Sequence, residues 1–384
     1  MSMRLQSRSH VIRLFLALLV ATSPALLRAQ VPSPPKKPAA QVPSPPAPKP
    51  SPAGGAPIPH TERRLGRVSL AVARDVRLLV ENRTTGRITL HGWDQDLIEA
   101  RAISDRGEEV LIVAQSEDEG PRKVFLKADY VNLENSETPT EPLDLPPRGS
   151  DGPLQIRLDV NVPRYVELEL IRVIRSDVEI SGVETPITVI GRESNVTLKD
   201  VGPVEAHTRT GSILIENAKG IADVTSSTGA IKISNSSGAV RAVSIAGSIE
   251  IRCFKGRIDV ANTQAPIELE AIEGDVEAIA ASSNVSFKGR LSDDGRYYLK
   301  SMSGRVEMIL PDDTRGFNVT LTSYRGTVES DFSLHSKPSA QDAGTTGRRL
   351  SGRFGKGSPQ ITLDSFEGLV KLSKIPSTSI LSCR

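Results

Sequence analysis

The stretch Gly211-SILIENAK-Gly220-IADVTSST-Gly229-AIKISNSS-Gly238-AVRAVSIA-Gly247-SIEIRCFK-Gly256 carries a glycine every nine residues. Gly202 precedes it at the same interval, and Gly274 rejoins the register after Ala265. Most of the glycines are followed by an apolar–any–apolar triplet: Ile213 and Ile215, Ile231 and Ile233, Ile249 and Ile251, Ile258 and Val260, Ile267 and Leu269. Period-two alternation marks a short strand with one face buried, and the glycine marks the turn between strands. A fixed period of this kind is the signature of a repeat architecture. The pattern predicts an all-β protein whose middle is a parallel β-solenoid of about 18 residues per coil, two strands to the coil, preceded by a β-rich N-terminal region.

Counted from its glycine, the second and fourth residues of each repeat should point inward and the third outward. The outward residues on one face are then Glu205, Asp223, Arg241, Asp259 and Glu277, and on the other Leu214, Lys232, Glu250 and Glu268. Stacked coils about 4.8 Å apart would set Arg241 between Asp223 and Asp259, and Lys232 beside Glu250. Such pairs penalise a slipped register more than they stabilise the correct one. Glu250 beside Glu268 has no compensating residue visible in the repeat. Asn217 and Asn235 share a repeat position and suggest an amide ladder. Cys253 and Ala271 follow at that position, which predicts that it turns apolar and buried.

The rest of the chain divides by composition. Residues 1–29 have the form of a secretory signal: Arg4, Arg8 and Arg13, then an apolar run from Leu14 to Val20, then the small residues Ala25 and Ala29, with cleavage expected near Gln30. Residues 30–64 read as a Pro-rich linker in which Val-Pro-Ser-Pro-Pro occurs twice. Residues 65–166 read as the β-rich N-terminal region, 167–375 as the repeat domain with closing strands, and 376–384 as a tail. Lys337–Pro359 reads as one long Gly/Ser/Arg loop. No segment other than the signal is apolar enough to span a membrane, so no span is expected after cleavage. A formal net charge of +2 gives no ground for general nucleic-acid binding. There are two cysteines; the expectation is a buried Cys253 filling the core and a loose Cys383 in a frayed tail, not a disulfide between them.

No catalytic constellation, cofactor motif or metal-ligand spacing stands out. The five histidines are scattered, and the turns lack the paired glycines and Asp of calcium-binding nonapeptides. Gly355-Lys356-Gly357-Ser358 lacks the full phosphate-loop spacing. Asp293-Asp294 and Asp312-Asp313 lie beside Gly or Pro in turns, where Asp bonds backbone more often than it does chemistry. The candidate contacts for an anionic ligand, polysaccharide or lipid, are the cations of the long loop: Lys337, Arg348, Arg349, Arg353 and Lys356.

The runs Asp177-Val-Glu-Ile-Ser-Gly-Val183, Gly202-Pro-Val-Glu-Ala206 and Thr210-Gly-Ser-Ile213, the opening elements Val80-Glu-Asn82 and Gly92-Trp93-Asp94, and the closing Gly352-Arg-Phe-Gly-Lys-Gly357 and Phe366-Glu-Gly368 carry a resemblance. Together, over residues 76–373, they resemble the bacterial putative-adhesin family of β-strand repeats. The resemblance implies an exported, non-enzymatic protein of the periplasm, cell surface or extracellular space, binding an envelope or surface ligand. The alternatives from other classes are a polysaccharide-active β-helix enzyme and a self-assembling envelope scaffold.

Overall fold

The described residues of the computed structural model are 60–82, 85–116, 123–129, 148–149, 152–153, 155–335 and 348–383. They form an all-β structure with a single short 3-10 turn, Ser377–Ser379. The signal segment and nearly all of the Pro-rich segment lie outside them. The first described strand, His60–Leu65, starts inside the stretch that composition assigns to the linker, because it pairs antiparallel with Leu111–Ser116.

Through the repeat the strands pair in parallel, with each residue opposite the one 17 or 18 positions further on. Ile213, Ile231, Ile249 and Ile267 stand opposite one another along one ladder. Asp223, Arg241, Asp259 and Glu277 align along the other. Two long strands, Ile231–Ser244 and Ile249–Asn262, run from one ladder into the other around a corner. After Gly289 the offset grows, so that Val276 faces Tyr297 and Val285 faces Val306. The ten expected interior residues, Ile213 through Leu269, are all at most 2% exposed. Burying each such side chain contributes about 1.5–3 kcal/mol, so a row of stacked isoleucines replaces the aromatic core that the composition cannot provide.

The N-terminal region is not a separate cover packed on the repeat; it continues both ladders. Arg77–Asn82 pairs in parallel with Glu167–Val173, and Thr85–Trp93 with Ser176–Ser181. On their other sides lie Lys123–Asp129 and Gln155–Pro163. Beyond these the pairing turns antiparallel, through Leu111–Ser116 to His60–Leu65 and through Leu97–Ser104 to Arg67–Ala71. At the other end the last strands in sequence are not the last in space. Gln360–Ser365 sits between Arg296–Ser301 and Gly316–Ser323, and Val370–Ile375 between Val306–Pro311 and Val328–Ser330. Phe317, Phe332 and Phe354 close that end, with ring centres 4.9–5.4 Å apart.

The tight turns share a Ser-x-x-Gly device. The Gly229 N–H donates to Ser226 Oγ (3.0 Å), and the Ser226 hydroxyl donates across to the Gly211 carbonyl (3.3 Å). Ser301 repeats this with the Gly304 N–H and the Ser283 carbonyl, and Ser323 with the Gly326 N–H and the Gly368 carbonyl. Asn262 substitutes its amide: Oδ1 accepts from the Ala265 N–H, and Nδ2 donates to the Gly247 carbonyl at 2.6 Å. Each buried hydroxyl thus closes its own turn and ties it to a neighbouring one. The approach is close enough that a Cβ on Gly229 would lie 1.7 Å from the Gly211 oxygen.

The opposite corner explains the position shared by Asn217, Asn235, Cys253 and Ala271. All four have φ between 49° and 58°, in the left-handed region that Asn tolerates better than most residues. The expected burial is reached only in part, since Asn217 and Asn235 are exposed and Cys253 and Ala271 half-buried; in place of an amide ladder, Asn217 Nδ2 donates to Asp200 Oδ1 at 3.0 Å. The expectation for cysteine is also overturned. Cys253 is half-buried at the corner and forms a disulfide with Cys383, with 5.4 Å between the Cα atoms. The tail is held to that corner side on its way: the Asp312 N–H donates to the Ile375 carbonyl, and the Ser377 N–H to Asp312 Oδ1.

Candidate functional site

In the middle of the repeat, ion pairs link neighbouring strands across one outward face. Lys232 Nζ lies 3.1 Å from Glu250, and Arg252 lies between Glu250 (2.6 Å) and Glu270 (3.6 Å). Lys288 reaches Glu270 at 3.1 Å. Arg252 is the compensation for Glu250 beside Glu268 that the repeat did not reveal; it sits two residues along the same strand. On the other ladder Arg241 pairs with Asp223 at 3.7 Å, not with Asp259. Burial, and then the Glu277 charge in the next strand, push the Asp259 carboxyl above its ordinary range, with Arg257 and Arg241 opposing.

The C-terminal end differs. Residues 348–355, expected as loop, form the strand Arg348–Gly355, antiparallel to Gly316–Ser323. The glycines at 352, 355 and 357 disguise it. The strand is held by Leu350 and Phe354, which pack against the core, and by the stack of Phe354 on Phe317. Register places Arg349 opposite Thr322 and Arg353 opposite Asn318, on the outward side with Ser351 between them. Arg348 faces Ser323 at the turn end. Lys356 follows Gly355, which has φ 58°, and its N–H donates to the Arg315 carbonyl. Lys337 lies outside the described residues. Of the five candidate cations, the structure therefore brings three onto one strand and sets Lys356 just past its end.

Arg348, Arg349, Arg353 and Lys356 are all exposed, and none makes an ion pair with another described residue. Of the four, Arg349 acts on Asp364. Burial pushes its carboxyl up, while a Thr322 hydrogen bond and the charges of Lys300 and Arg349 pull it back. Beyond this strand, among the described residues, only a two-residue bridge, His335 with Arg353, continues the pairing. Cations on an edge strand discourage pairing with a second chain. Without an ion-pair partner among the described residues, they leave uncompensated positive charge along this strand.

The other sequence candidates are occupied structurally. Asp313 accepts two hydrogen bonds from Arg290 Nη1 (2.9 and 3.0 Å), and Asp312 holds the tail. His207 contacts Glu205, and His91 contacts Ser181. Among the described residues no cluster of His, Cys, Asp or Glu could hold a metal ion, and no helix is long and apolar enough to cross a membrane.

These features define a class: an all-β protein of stacked short strands that displays long side-chain rows on regular faces. The chain belongs to the Toastrack DUF4097 family, a domain of unknown function whose model matches residues 160–373. A crystal structure of a "putative cell adhesion protein" from Clostridium sporogenes is similar over 83% of this chain and 100% of its own. The identity is 11% and the TM-score 0.18, and at that score the likeness carries no argument about function. No curated protein matches the chain.

Proposed function

We propose that the protein is an exported, non-enzymatic binding module of the cell envelope or surface. In this reading its strands wind as a parallel β-solenoid of about 18 residues per coil, held away from its attachment by the part of the Pro-rich segment that precedes His60. The observation that carries the proposal is the basic edge at Arg348, Arg349, Arg353 and Lys356, four exposed cations gathered on and just past one strand with no ion pair to another described residue. Opposite an anionic polymer or lipid surface, each such group contributes about 1 kcal/mol, screened within a Debye length.

Two measurements test it. N-terminal sequencing of the exported protein should begin at or near residue 30; a chain beginning at residue 1 or 2 removes the export assignment. Isolated envelopes should bind the protein in a salt-sensitive manner, and Arg348→Ser, Arg349→Ser and Arg353→Ser together should abolish that binding without moving the thermal transition. Unaltered binding of the triple variant in low salt would reduce the edge to an aggregation guard.

A further inference from the structure

Aromatic residues make up only 4% of this chain, yet two of them lie side by side in solvent beside the basic edge. Tyr324 is 56% exposed and Phe366 39%, with ring centres 5.7 Å apart. Both occupy the residue after the serine of a Ser-x-x-Gly turn. Met302, 40% exposed, holds that place in the neighbouring turn on the far side of Phe366. Backbone bonds fix the order: the Tyr324 N–H donates to the Ser365 carbonyl, and the Phe366 N–H to the Ser301 carbonyl. The three side chains therefore climb the turn ridge one strand at a time, about 4.8 Å per step.

Polar groups flank the row. The Arg325 guanidinium lies 5.2 Å from the centre of the Phe366 ring and bonds Glu367 at 3.0 Å. Arg348 is the register partner of Ser323, next in sequence to Tyr324, so the aromatic row and the basic edge meet at one corner. Tyr, Phe, Met and Arg together at one exposed spot is the composition of a contact surface, not of ordinary solvated turns.

From this juxtaposition, and resting on the anionic-contact reading above, we infer that the ridge Tyr324–Phe366–Met302 is the binding track for an anionic polysaccharide. The C–H face of a pyranose stacks on an aromatic ring, and one sugar of an extended polyuronate chain advances by about one strand spacing. The Arg325–Glu367 pair is placed for sugar hydroxyls. Arg348 and Arg349 are placed for carboxylate or phosphate substituents, which a guanidinium can bind through two parallel hydrogen bonds. A lipid headgroup would use the cations but has no need of the aromatic row.

The test uses the full chain with two probes, polygalacturonate and phosphatidylglycerol vesicles. The protein should bind polygalacturonate. Tyr324→Ala with Phe366→Ala should weaken that binding roughly tenfold, the factor given by about 1.4 kcal/mol of lost contact. The salt dependence and thermal transition of this variant should be those of the wild type. Tyr324→Ala alone, at the more exposed ring, should show part of the loss and covers the case in which the double variant misfolds. Arg348→Ser with Arg349→Ser should instead flatten the salt dependence. If the ring variants bind like wild type while the arginine variant loses binding, the track is overturned and the anionic-contact reading survives. Binding to the vesicles and not to polygalacturonate has the same meaning. If neither probe binds in low salt, both readings fall.

Discussion

Replacing the disulfide by Cys253→Asn and Cys383→Ser should destabilise the C-terminal half of the stack. Asn is the substitute of choice at 253 because Asn217 and Asn235 occupy the same left-handed corner, so the backbone there is not further strained. The bond joins residues 130 apart in sequence and thereby closes a loop of that length in the unfolded chain. Loop-closure entropy for such a loop corresponds to about 5 kcal/mol at 25 °C, and measured losses for native disulfides run at about 2–5 kcal/mol. Urea denaturation followed by far-UV circular dichroism should show the variant's midpoint well below that of oxidised wild type. Wild type treated with reductant should fall to the same midpoint, and its denaturant dependence should steepen as the unfolded chain expands. Thiol labelling of the denatured, unreduced protein should find no free cysteine. Two free thiols in the unreduced protein, or identical midpoints for variant and oxidised wild type, would refute the reasoning.

Three further outcomes follow from particular contacts. Asp259→Asn should raise the melting temperature at pH 7. The folded-state pKa of this carboxyl is raised, so stability falls as pH rises from the unfolded through the folded pKa, and the variant's advantage should vanish in acid, where wild type is protonated. Ser226→Ala should cost about 1–3 kcal/mol in chemical denaturation, because the Gly229 N–H and the Gly211 carbonyl lose a shared partner at a site with no solvent access. Ile231→Lys should cost several kcal/mol, seen as loss of the folded fraction on expression, since the buried charge would meet only Ile213, Ile249 and their neighbours; an unchanged thermal transition would break the inward assignment of that row.

The interior of the repeat was legible because two periods coincide in it, the alternation of strand side chains and the glycine of each turn. The Ser-x-x-Gly device was equally present, in Ser226, Ser244, Ser301, Ser323 and Ser365 before Gly229, Gly247, Gly304, Gly326 and Gly368, but reading only from the glycines passes over it. The strand Arg348–Gly355 was hidden because its alternation rests on Leu350 and Phe354 alone, with glycine at the position between them. The disulfide could not be read from 130 intervening residues; it depends on a left-handed corner at Cys253 and on the path of a tail fixed by Asp312. The aromatic row escaped for a related reason. Tyr324 and Phe366 are 42 residues apart and adjoin only because a late strand slots between earlier ones.

That slotting governs how the protein can be made and how it can vary. As the chain emerges N-terminus first, strands up to Val306–Pro311 can add in the order of the sequence. Gly316–Ser323 and Val328–Ser330 cannot take their final places until Gln360–Ser365 and Val370–Ile375 have emerged to lie between them and the growing stack. The nascent protein therefore waits with an open template at its end for the last sixty or so residues, and a stop codon anywhere in that stretch leaves the template exposed. A whole 18-residue unit is most simply gained or lost in the sequentially stacked stretch before Cys253, where the bond from Cys253 to Cys383 and the strands after it keep their places. Length can change there while the C-terminal corner, built from strands that arrive out of order, stays fixed.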